Sequence, residues 1–168
     1  AAGHLLALIN DVLQMSKLED GTVNLAHEPL SLRELTKEII VIVEENAAEN
    51  GVSLDFDRQN SLPHPYVYGS PLHLRRLLMN IISNAVKYNR VGGEIRLGCC
   101  EKPSADPETA QIEFTCADTG IGMSEEFQKH VFEPFAQERN TARSEYGGTG
   151  LGMPIAKSLA EKMGGTLS

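Results

Sequence analysis

The stretch Asn80-Ile-Ile-Ser-Asn84-Ala-Val-Lys87-Tyr88-Asn89 places carboxamides and a lysine on one side of a predicted helix. At about 3.6 residues per turn, positions 80, 84, 87 and 88 fall within roughly one third of the circumference, and the apolar residues lie mainly opposite. A carboxamide oxygen is a suitable ligand for Mg²⁺, and a lysine ammonium can follow a phosphate. The alternative is the ordinary solvated face of an amphipathic helix.

A second stretch, Asp118-Thr-Gly120-Ile-Gly122, follows the alternating residues 111–117, which predict a strand. An aspartate at a strand end can accept a hydrogen bond from an exocyclic amine such as adenine N6. The neighbouring glycines let the backbone approach a flat ring closely. The alternative is an Asp-Gly turn in which the aspartate only caps backbone groups.

The third stretch, Gly147-Gly148-Thr149-Gly150-Leu151-Gly152, precedes a predicted helix. Its outer glycines have P-loop spacing, but Met153-Pro154 stand where a P-loop needs Lys-Ser/Thr. Backbone N–H groups at a helix start form an anion site without any lysine, and the alternative is a flexible linker. Together and in this order, the three stretches predict a nucleotide site that holds phosphate without a P-loop.

Composition narrows the class of protein. A chain of 168 residues with 41% hydrophobic residues has the size of one ordinary domain with an aliphatic core. The net charge of −8 argues against a nucleic-acid partner. No apolar run has membrane-spanning length and no signal peptide opens the chain, so a cytoplasmic setting is expected. The three cysteines lack metal-ligand spacing and are interpreted as small core or surface residues.

Hydrophobic periodicity and capping signals predict an α+β fold, a two-layer sandwich in which helices cover one face of a mixed sheet. Residues 136–148 are polar and glycine-ended, so they are expected to be mobile. The predicted elements are an amphipathic helix over 4–19, a second from the Ser31–Glu34 capping box to Gly51, strands at 52–57 and 66–68, a helix from Pro71 to about Asn89, an antiparallel hairpin of 94–100 and 111–117, a short helix after Ser124, a helix over about 152–163, and a strand at 166–168.

These residues resemble the catalytic, ATP-binding domain of a sensor histidine kinase, a Bergerat-type fold of the GHKL ATPases. The resemblance covers roughly residues 28–168 and includes four boxes in the family's order: the N-box at 80–89, the first glycine box at 118–123, the F-box Phe132-Glu-Pro-Phe135 and the second glycine box at 147–152. Residues 1–21 are similar to the second dimerisation helix of these kinases. The resemblance therefore implies a remnant of a dimerisation domain followed by a catalytic domain truncated at its last strands.

The resemblance also implies roles, with ATP and Mg²⁺ as cofactors. Asn84 would coordinate Mg²⁺ between the phosphates, and Asn80 would lie near the metal and the terminal phosphate. Lys87 would contact phosphate, and Asp118 would bind adenine N6. The remaining nucleotide contacts implied are Tyr88, Gly120, Gly122, Met123, Phe135, Gly148, Thr149, Gly150, Leu151 and Gly152. Residues 136–148 would form a lid over the nucleotide.

One position separates phosphotransfer from hydrolysis. Related gyrase-type and chaperone ATPases carry a glutamate four residues before the Mg²⁺-binding asparagine, where it activates water. In this chain that position is Asn80, whose carboxamide cannot act as a general base. The sequence therefore favours transfer to another nucleophile over hydrolysis.

None of the five histidines lies in the motif that carries the phosphoacceptor in such kinases, a His-Asp/Glu pair followed by basic residues and proline. The expected partners are a phosphoacceptor dimerisation helix outside this chain, a response regulator or receiver domain, and a second copy of the full-length protein. We expect a chain trimmed at both ends that binds ATP or ADP without phosphorylating itself. The alternatives are a degenerate nucleotide-binding or scaffolding module and an ATPase of the gyrase or chaperone type.

Overall fold

The computed structural model describes residues 2–56, 62–136 and 149–168, with side chains from residue 5 onward. The chain divides into two compact units. Unit 1 comprises Ala1–Leu25, Leu72–Asn84 and Ile121–Ser168, and unit 2 comprises Ala26–Pro71 and Ala85–Gly120. The elements in chain order are α1 (Ala2–Glu19), β1 (Glu28–Ser31), α2 (Leu32–Glu49), β2 (Ser53–Phe56), β3 (Tyr66–Gly69), α3 (Pro71–Lys87), β4 (Glu94–Lys102), β5 (Gln111–Asp118), α4 (Glu125–Gln128) and α5 (Gly152–Lys162).

The described residues of unit 2 form two sheets. In the three-stranded sheet, β4 pairs in parallel with β2 and antiparallel with β5, in a register that runs from Ile95 opposite Asp118 to Lys102 opposite Gln111. β1 and β3 form a separate antiparallel pair. The predicted α+β class with a mixed sheet and an antiparallel 94–118 hairpin is confirmed.

Local sequence accounts for the helix of unit 2. Ser31 has extended backbone angles and its hydroxyl accepts the N–H of Glu34, as the capping box predicts. Gly51 takes a left-handed φ of 68° after the helix, a conformation that costs glycine least. The buried stripe of α2, spaced by three and four residues, faces β1 and β2 and consists of Leu32, Leu35, Thr36, Ile39, Val43 and Ala47.

Strand β4 alternates between two environments. Ile95, Leu97 and Cys99 are buried on one face, whereas Cys100 on the other face is only half-buried. The adjacent cysteines therefore lie on opposite faces of the sheet, as the alternation of a strand requires. Burial raises the pKa of Cys99 to about 11, so this thiol behaves as a small core residue.

In unit 1, α1 packs against α5. α5 supplies a core of fully buried side chains, Ile155, Ala156 and Leu159. The Lys162 ammonium then donates to the carbonyl of Val23, 3.2 Å away, beyond the end of α1. The apolar side of α1 that stays exposed consists of Leu5, Leu6, Ile9, Val12 and Leu13.

The predicted end of α3 near Asn89 is within two residues of the observed end at Lys87, after which the Asn89 N–H returns to the carbonyl of Val86. One prediction about the chain's later elements was wrong. Residues 166–168 form no strand: Gly164 has a φ of 81°, the N–H of Gly165 returns to the carbonyl of Ala160, and no described strand pairs with this end.

β1 was not predicted, because four residues containing a proline carry no period-two signal and the strand exists through its pairing with β3. The prediction of mobility over 136–148 lies, apart from residue 136, outside the described residues. Within the described ranges, no helix combines the length and apolar character needed to cross a membrane.

Candidate functional site

Within unit 1, the N-box and the second glycine box meet. The Asn80 side-chain amide donates a hydrogen bond of 3.2 Å to the carbonyl of Gly152, which begins α5. One turn further along α3, the amide nitrogen of Asn84 is 4.0 Å from the position that a Cβ on Gly152 would take. The structure therefore brings three of the predicted site residues together, although they are distant in sequence.

We define the glycine segment as Thr149–Gly152; Gly148 lies outside the described residues. Gly150 has a φ of 71°, and a Cβ there would lie 2.7 Å from the Cα of Phe135. The carbonyl of Gly150 accepts the N–H of Phe135 at 3.0 Å. The side chain of Leu151 is fully buried and contributes to packing, which leaves its backbone as the part able to face a ligand.

Two apolar side chains of the predicted nucleotide contacts remain accessible in unit 1. Phe135 is 61% exposed, and it is the one non-glycine residue with positive φ in the described part of the chain. Met123 is 40% exposed. The other F-box aromatic, Phe132, is half-buried beneath the Lys157 ammonium at 4.6 Å from the ring centroid. The two phenylalanines thus differ: Phe132 is held by α5, and Phe135 presents its ring outward.

In unit 2, Asp118 is exposed at the end of β5. Its Oδ1 accepts the N–H of Gly120 at 2.7 Å, and its Oδ2 has no hydrogen bond to a described residue. A Cβ on Gly120 would lie 2.6 Å from both Asp118 Oδ1 and the carbonyl oxygen of Tyr88. Only glycine permits this close approach, so the turn holds Oδ1 of an exposed carboxylate and leaves Oδ2 without a partner among the described residues.

Lys87 and Tyr88 adjoin each other at the end of α3. The Lys87 ammonium lies 5.3 Å from the Tyr88 ring centroid, a cation–π distance. Burial lowers the pKa of Lys87, because a desolvated ammonium is less stable. Both side chains are half-buried.

Sequence reasoning missed the role of Asn89, which is buried at 6% exposure. Its Nδ2 donates to the carbonyl of Glu94, and its Oδ1 accepts from Arg90 N–H and Thr119 Oγ1. A Cβ on Gly93 would overlap the Asn89 carboxamide oxygen. Asn89 therefore connects the end of α3 to the start of β4 and to the turn after Asp118, and an asparagine before Gly92-Gly93 was the available signal.

Sequence reasoning also missed Asp11 and Arg76 of unit 1. Asp11 Oδ1 accepts from Arg76 at 2.7 Å, and Oδ2 accepts the Thr149 hydroxyl at 2.8 Å. The available signal was periodicity: Asp11 shares the three- and four-residue spacing of the packed residues Leu8, Met15 and Leu18. A carboxylate on the packed side of a helix requires a donor.

The donor set suits Mg²⁺ better than a transition metal. The described residues contain no cluster of three His, Cys, Asp or Glu side chains able to hold a metal. Asn84 offers a half-buried carboxamide that has no hydrogen bond to a described residue, and Gly152 leaves the space beside it open. Mg²⁺ commonly takes one or two protein oxygens and fills its shell with phosphate and water, so these residues fit it.

Comparison with known proteins gives one consistent family. The histidine kinase-, DNA gyrase B- and HSP90-like ATPase family matches residues 69–168. The Escherichia coli K12 signal transduction histidine-protein kinase BarA is 36% identical over 168 residues, 100% of this chain and 18% of that protein. The Vibrio harveyi autoinducer 2 sensor kinase/phosphatase LuxQ is 34% identical over 162 residues, 96% of this chain and 19% of the relative. The chain thus spans about a fifth of the length of these curated relatives.

Among solved structures, full-length ShkA in complex with AMPPNP matches 96% of this chain and 31% of its own, with 29% identity and a TM-score of 0.77. The resemblance to sensor histidine kinases is therefore confirmed in sequence and in fold. The chain belongs to the histidine kinase-, DNA gyrase B- and HSP90-like ATPase family, as an ATP-binding catalytic domain of the sensor histidine kinase type.

Proposed function

We propose that this chain binds Mg²⁺–ATP and donates the γ-phosphate to a histidine on a dimerisation helix outside the chain. One observation carries the proposal: Asn80 of the N-box donates to Gly152 of the second glycine box across 72 residues of sequence. A contact of this kind is expected if the two boxes serve one ligand. ShkA was solved with AMPPNP bound, and this ligand of a similar protein supports ATP as the nucleotide here.

Adenine recognition is assigned to the turn of unit 2. Gly120 N–H occupies one oxygen of Asp118 and holds the carboxylate in place. The second oxygen is able to accept a hydrogen bond from adenine N6, and a carboxylate rejects bases that present a carbonyl there. Gly120 and Gly122 carry no side chain that would cover the ring.

Phosphate binding is assigned to the glycine segment and to the polar residues of α3. The segment leads into α5, whose N-terminal N–H groups and dipole favour an anion. Asn84, with Asn80 beside it, offers carboxamide oxygen to Mg²⁺, which when bound neutralises phosphate charge. Lys87 supplies a cation for the phosphates, and Tyr88, Met123 and Phe135 supply apolar surface for the nucleotide.

Phosphotransfer is favoured over hydrolysis because Asn80 replaces the glutamate of the gyrase-type enzymes. A carboxamide takes no proton from water at neutral pH, and the Asn80 amide is already donating to Gly152. A water molecule near the γ-phosphate therefore lacks a base at this position. A histidine supplied by another helix is itself a nucleophile and needs no such base.

The proposed partners are inferred from the exposed apolar side of α1 and from the net charge of the chain. We assign residues 1–21 to a dimerisation domain and residues 28–168 to the catalytic domain. The exposed apolar side of α1 suits the phosphoacceptor helix and a second copy of the full-length protein. A response regulator would receive the phosphoryl group in the cytoplasm, and the net charge of −8 disfavours nucleic acid.

The first test is calorimetric titration with ATP in Mg²⁺ and in EDTA, on the wild type and on Asn84→Ala. Binding that weakens without Mg²⁺, and an Asn84→Ala variant that no longer responds to the metal, support the assignment. Identical affinities under all conditions would contradict the Mg²⁺ role.

The second test follows γ-labelled ATP with a histidine-bearing dimerisation hairpin supplied in trans. Label on the histidine supports the proposal, and we expect none on this chain alone. Rapid phosphate release with no labelled protein indicates the gyrase-type alternative. Tight ATP binding with neither product indicates the degenerate binding module.

A further inference from the structure

Asp11 of α1 is bound at both carboxylate oxygens within unit 1. Oδ1 accepts from Arg76 on α3 at 2.7 Å, and Oδ2 accepts from the Thr149 hydroxyl at 2.8 Å. The Asp11 side chain is 20% exposed and the Arg76 side chain 37%. Arg76 Nε is buried with no hydrogen-bond partner in the part of the chain that the structure describes. A carboxylate with two charged or hydroxyl donors and little solvent has a defined orientation.

The Thr149 hydroxyl connects the Asp11 carboxylate to the backbone of the glycine segment. It has a single proton, which goes to Asp11, and its oxygen accepts the N–H of Leu151 at 3.1 Å. The Leu151 bond closes a turn around Gly150, which has a left-handed φ of 71°. Asp11 is therefore linked through the Thr149 hydroxyl to the backbone turn at Gly150.

The glycine segment is held at two points that lie one turn apart on α3. Thr149 at its start is tied through Asp11 to Arg76, and Gly152 at its end accepts from Asn80. Arg76 and Asn80 are four residues apart on the same helix, so they lie on one face. The second attachment needs only α3, whereas the first exists only while α1 is in place.

We propose that Asp11 is a positioning residue for phosphate binding, so that α1 forms part of the nucleotide-binding unit as well as a dimerisation surface. This inference rests on the proposed function. Asp11 acts through Thr149: it preorganises the glycine segment, and preorganisation raises affinity by lowering the cost of ordering on binding. A displacement of α1 would then change the ATP affinity by breaking the hydrogen bond between Asp11 and Thr149.

The test measures affinity for Mg²⁺–ATP and for adenosine, which lacks phosphates, in the wild type, Asp11→Asn and Asp20→Asn. Asparagine at 11 keeps the shape of the side chain but cannot accept from both Arg76 and Thr149. Asp20→Asn removes the same charge from an exposed residue just past α1 and is the matched control. We expect Asp11→Asn to weaken ATP binding about tenfold and to leave adenosine binding unchanged, with no change in the control.

A merely structural role for Asp11 would lower the two affinities together, and that result would overturn the proposal. ATP binding by Asp11→Asn within twofold of the wild type would overturn it as well. Thermal unfolding of each variant defines the temperature at which all are folded during the titrations. A wild-type chain that is folded but binds no ATP would refute the proposed function and this inference together; a wild type that binds, with an unaffected Asp11→Asn, refutes the inference alone.

Thr149→Val supplies an independent check, because valine has the shape of threonine without the hydroxyl. If Asp11 acts through Thr149, the double variant Asp11→Asn/Thr149→Val binds ATP no more weakly than the weaker single variant. Additive losses would show that Asp11 acts by another route and would contradict the proposal.

Discussion

The β4–β5 sheet of unit 2 and the glycine segment of unit 1 are held in different ways. The sheet pairs strands that are neighbours in sequence, from Ile95 opposite Asp118 to Lys102 opposite Gln111. The glycine segment has no ladder; apart from one backbone bond, from the Phe135 N–H to the Gly150 carbonyl, it is held by the side chains of Asp11, 138 residues from Thr149, and Asn80, 72 residues from Gly152. A backbone ladder survives many side-chain changes, whereas a segment held by single side chains depends on each of them.

The largest effect on stability is expected at Gly150, where the glycine segment has no space for a side chain. Gly150→Ala places a Cβ 2.7 Å from the Cα of Phe135, and backbone atoms cannot move aside cheaply. An alanine at φ 71° also has a conformational cost. Because the two costs add, we expect the unfolding free energy of unit 1 to fall by about 3 kcal/mol. Urea unfolding of the purified variant measures this.

Gly122→Ala is the matched control, because Gly122 has a φ of 70° but nothing within 4 Å of its Cβ position. It should lose only the conformational cost, about 1 kcal/mol. Equal losses for the two variants would show that the backbone conformation, and not the contact with Phe135, restricts residue 150.

The same contrast explains what the sequence predicted. The hairpin, the capped start of α2 and the run of α3 depend on neighbouring residues, so periodicity and capping found them. The Asp11–Thr149 and Asn89–Thr119 contacts join residues brought together only by tertiary packing. Local patterns indicate that Asp11 and Asn89 have a structural role, but they do not indicate which residues these side chains contact. For the site, the order of the motifs predicted which residues contribute to it. The attachment of the glycine segment to α1 depends on tertiary packing and could not be predicted from the sequence.

The next largest effect is expected in the adenine turn of unit 2, which the sheet supports. Asp118→Asn keeps an oxygen for Gly120 N–H, so the turn and the stability should be unchanged. Its outward group becomes an amide donor that faces adenine N6, and we expect ATP affinity to fall about 100-fold, or about 2.7 kcal/mol. Calorimetry beside a thermal melt measures both. A variant that binds normally would remove Asp118 from adenine recognition.

A smaller effect concerns thiols within the sheet. Burial raises the pKa of Cys99 from 9.0 to about 11, and burial followed by the nearby Asp118 charge does the same for Cys116. A raised folded-state pKa gives stability that is complete below pH 9 and is lost as pH rises toward 11, because only the unfolded thiols ionise. We expect a loss of about 2 kcal/mol at the buried Cys99 between these limits.

Unfolding free energies at about pH 8 and about pH 10.5 measure the loss, compared with Cys99→Ala to subtract other titrating groups. The variant should show a flatter dependence on pH. Rapid alkylation of Cys99 in the folded protein at neutral pH would disagree with its burial at 1% exposure.

The smallest effect is expected at the surface of unit 2, where one side-chain hydrogen bond can be removed without loss of the backbone hydrogen bond beside it. Glu101 Oε1 is 2.8 Å from His64 Nδ1, and Oε2 accepts the His64 backbone N–H at 3.0 Å. The hydrogen bond to the His64 side chain, and then the one to its backbone, lower the pKa of Glu101. The ionised carboxylate therefore stabilises the fold at pH values above the ordinary glutamate pKa, and this stabilisation is lost as the pH falls through the lowered pKa. In His64→Ala the backbone bond persists, so the Glu101 pKa, followed by NMR, should rise only part of the way, with no measurable change in the unfolding midpoint. A large drop in that midpoint would mean that unit 2 depends on an exposed side-chain pair in the way that the glycine segment depends on single side chains. The proposed difference between the sheet and the glycine segment would then be wrong.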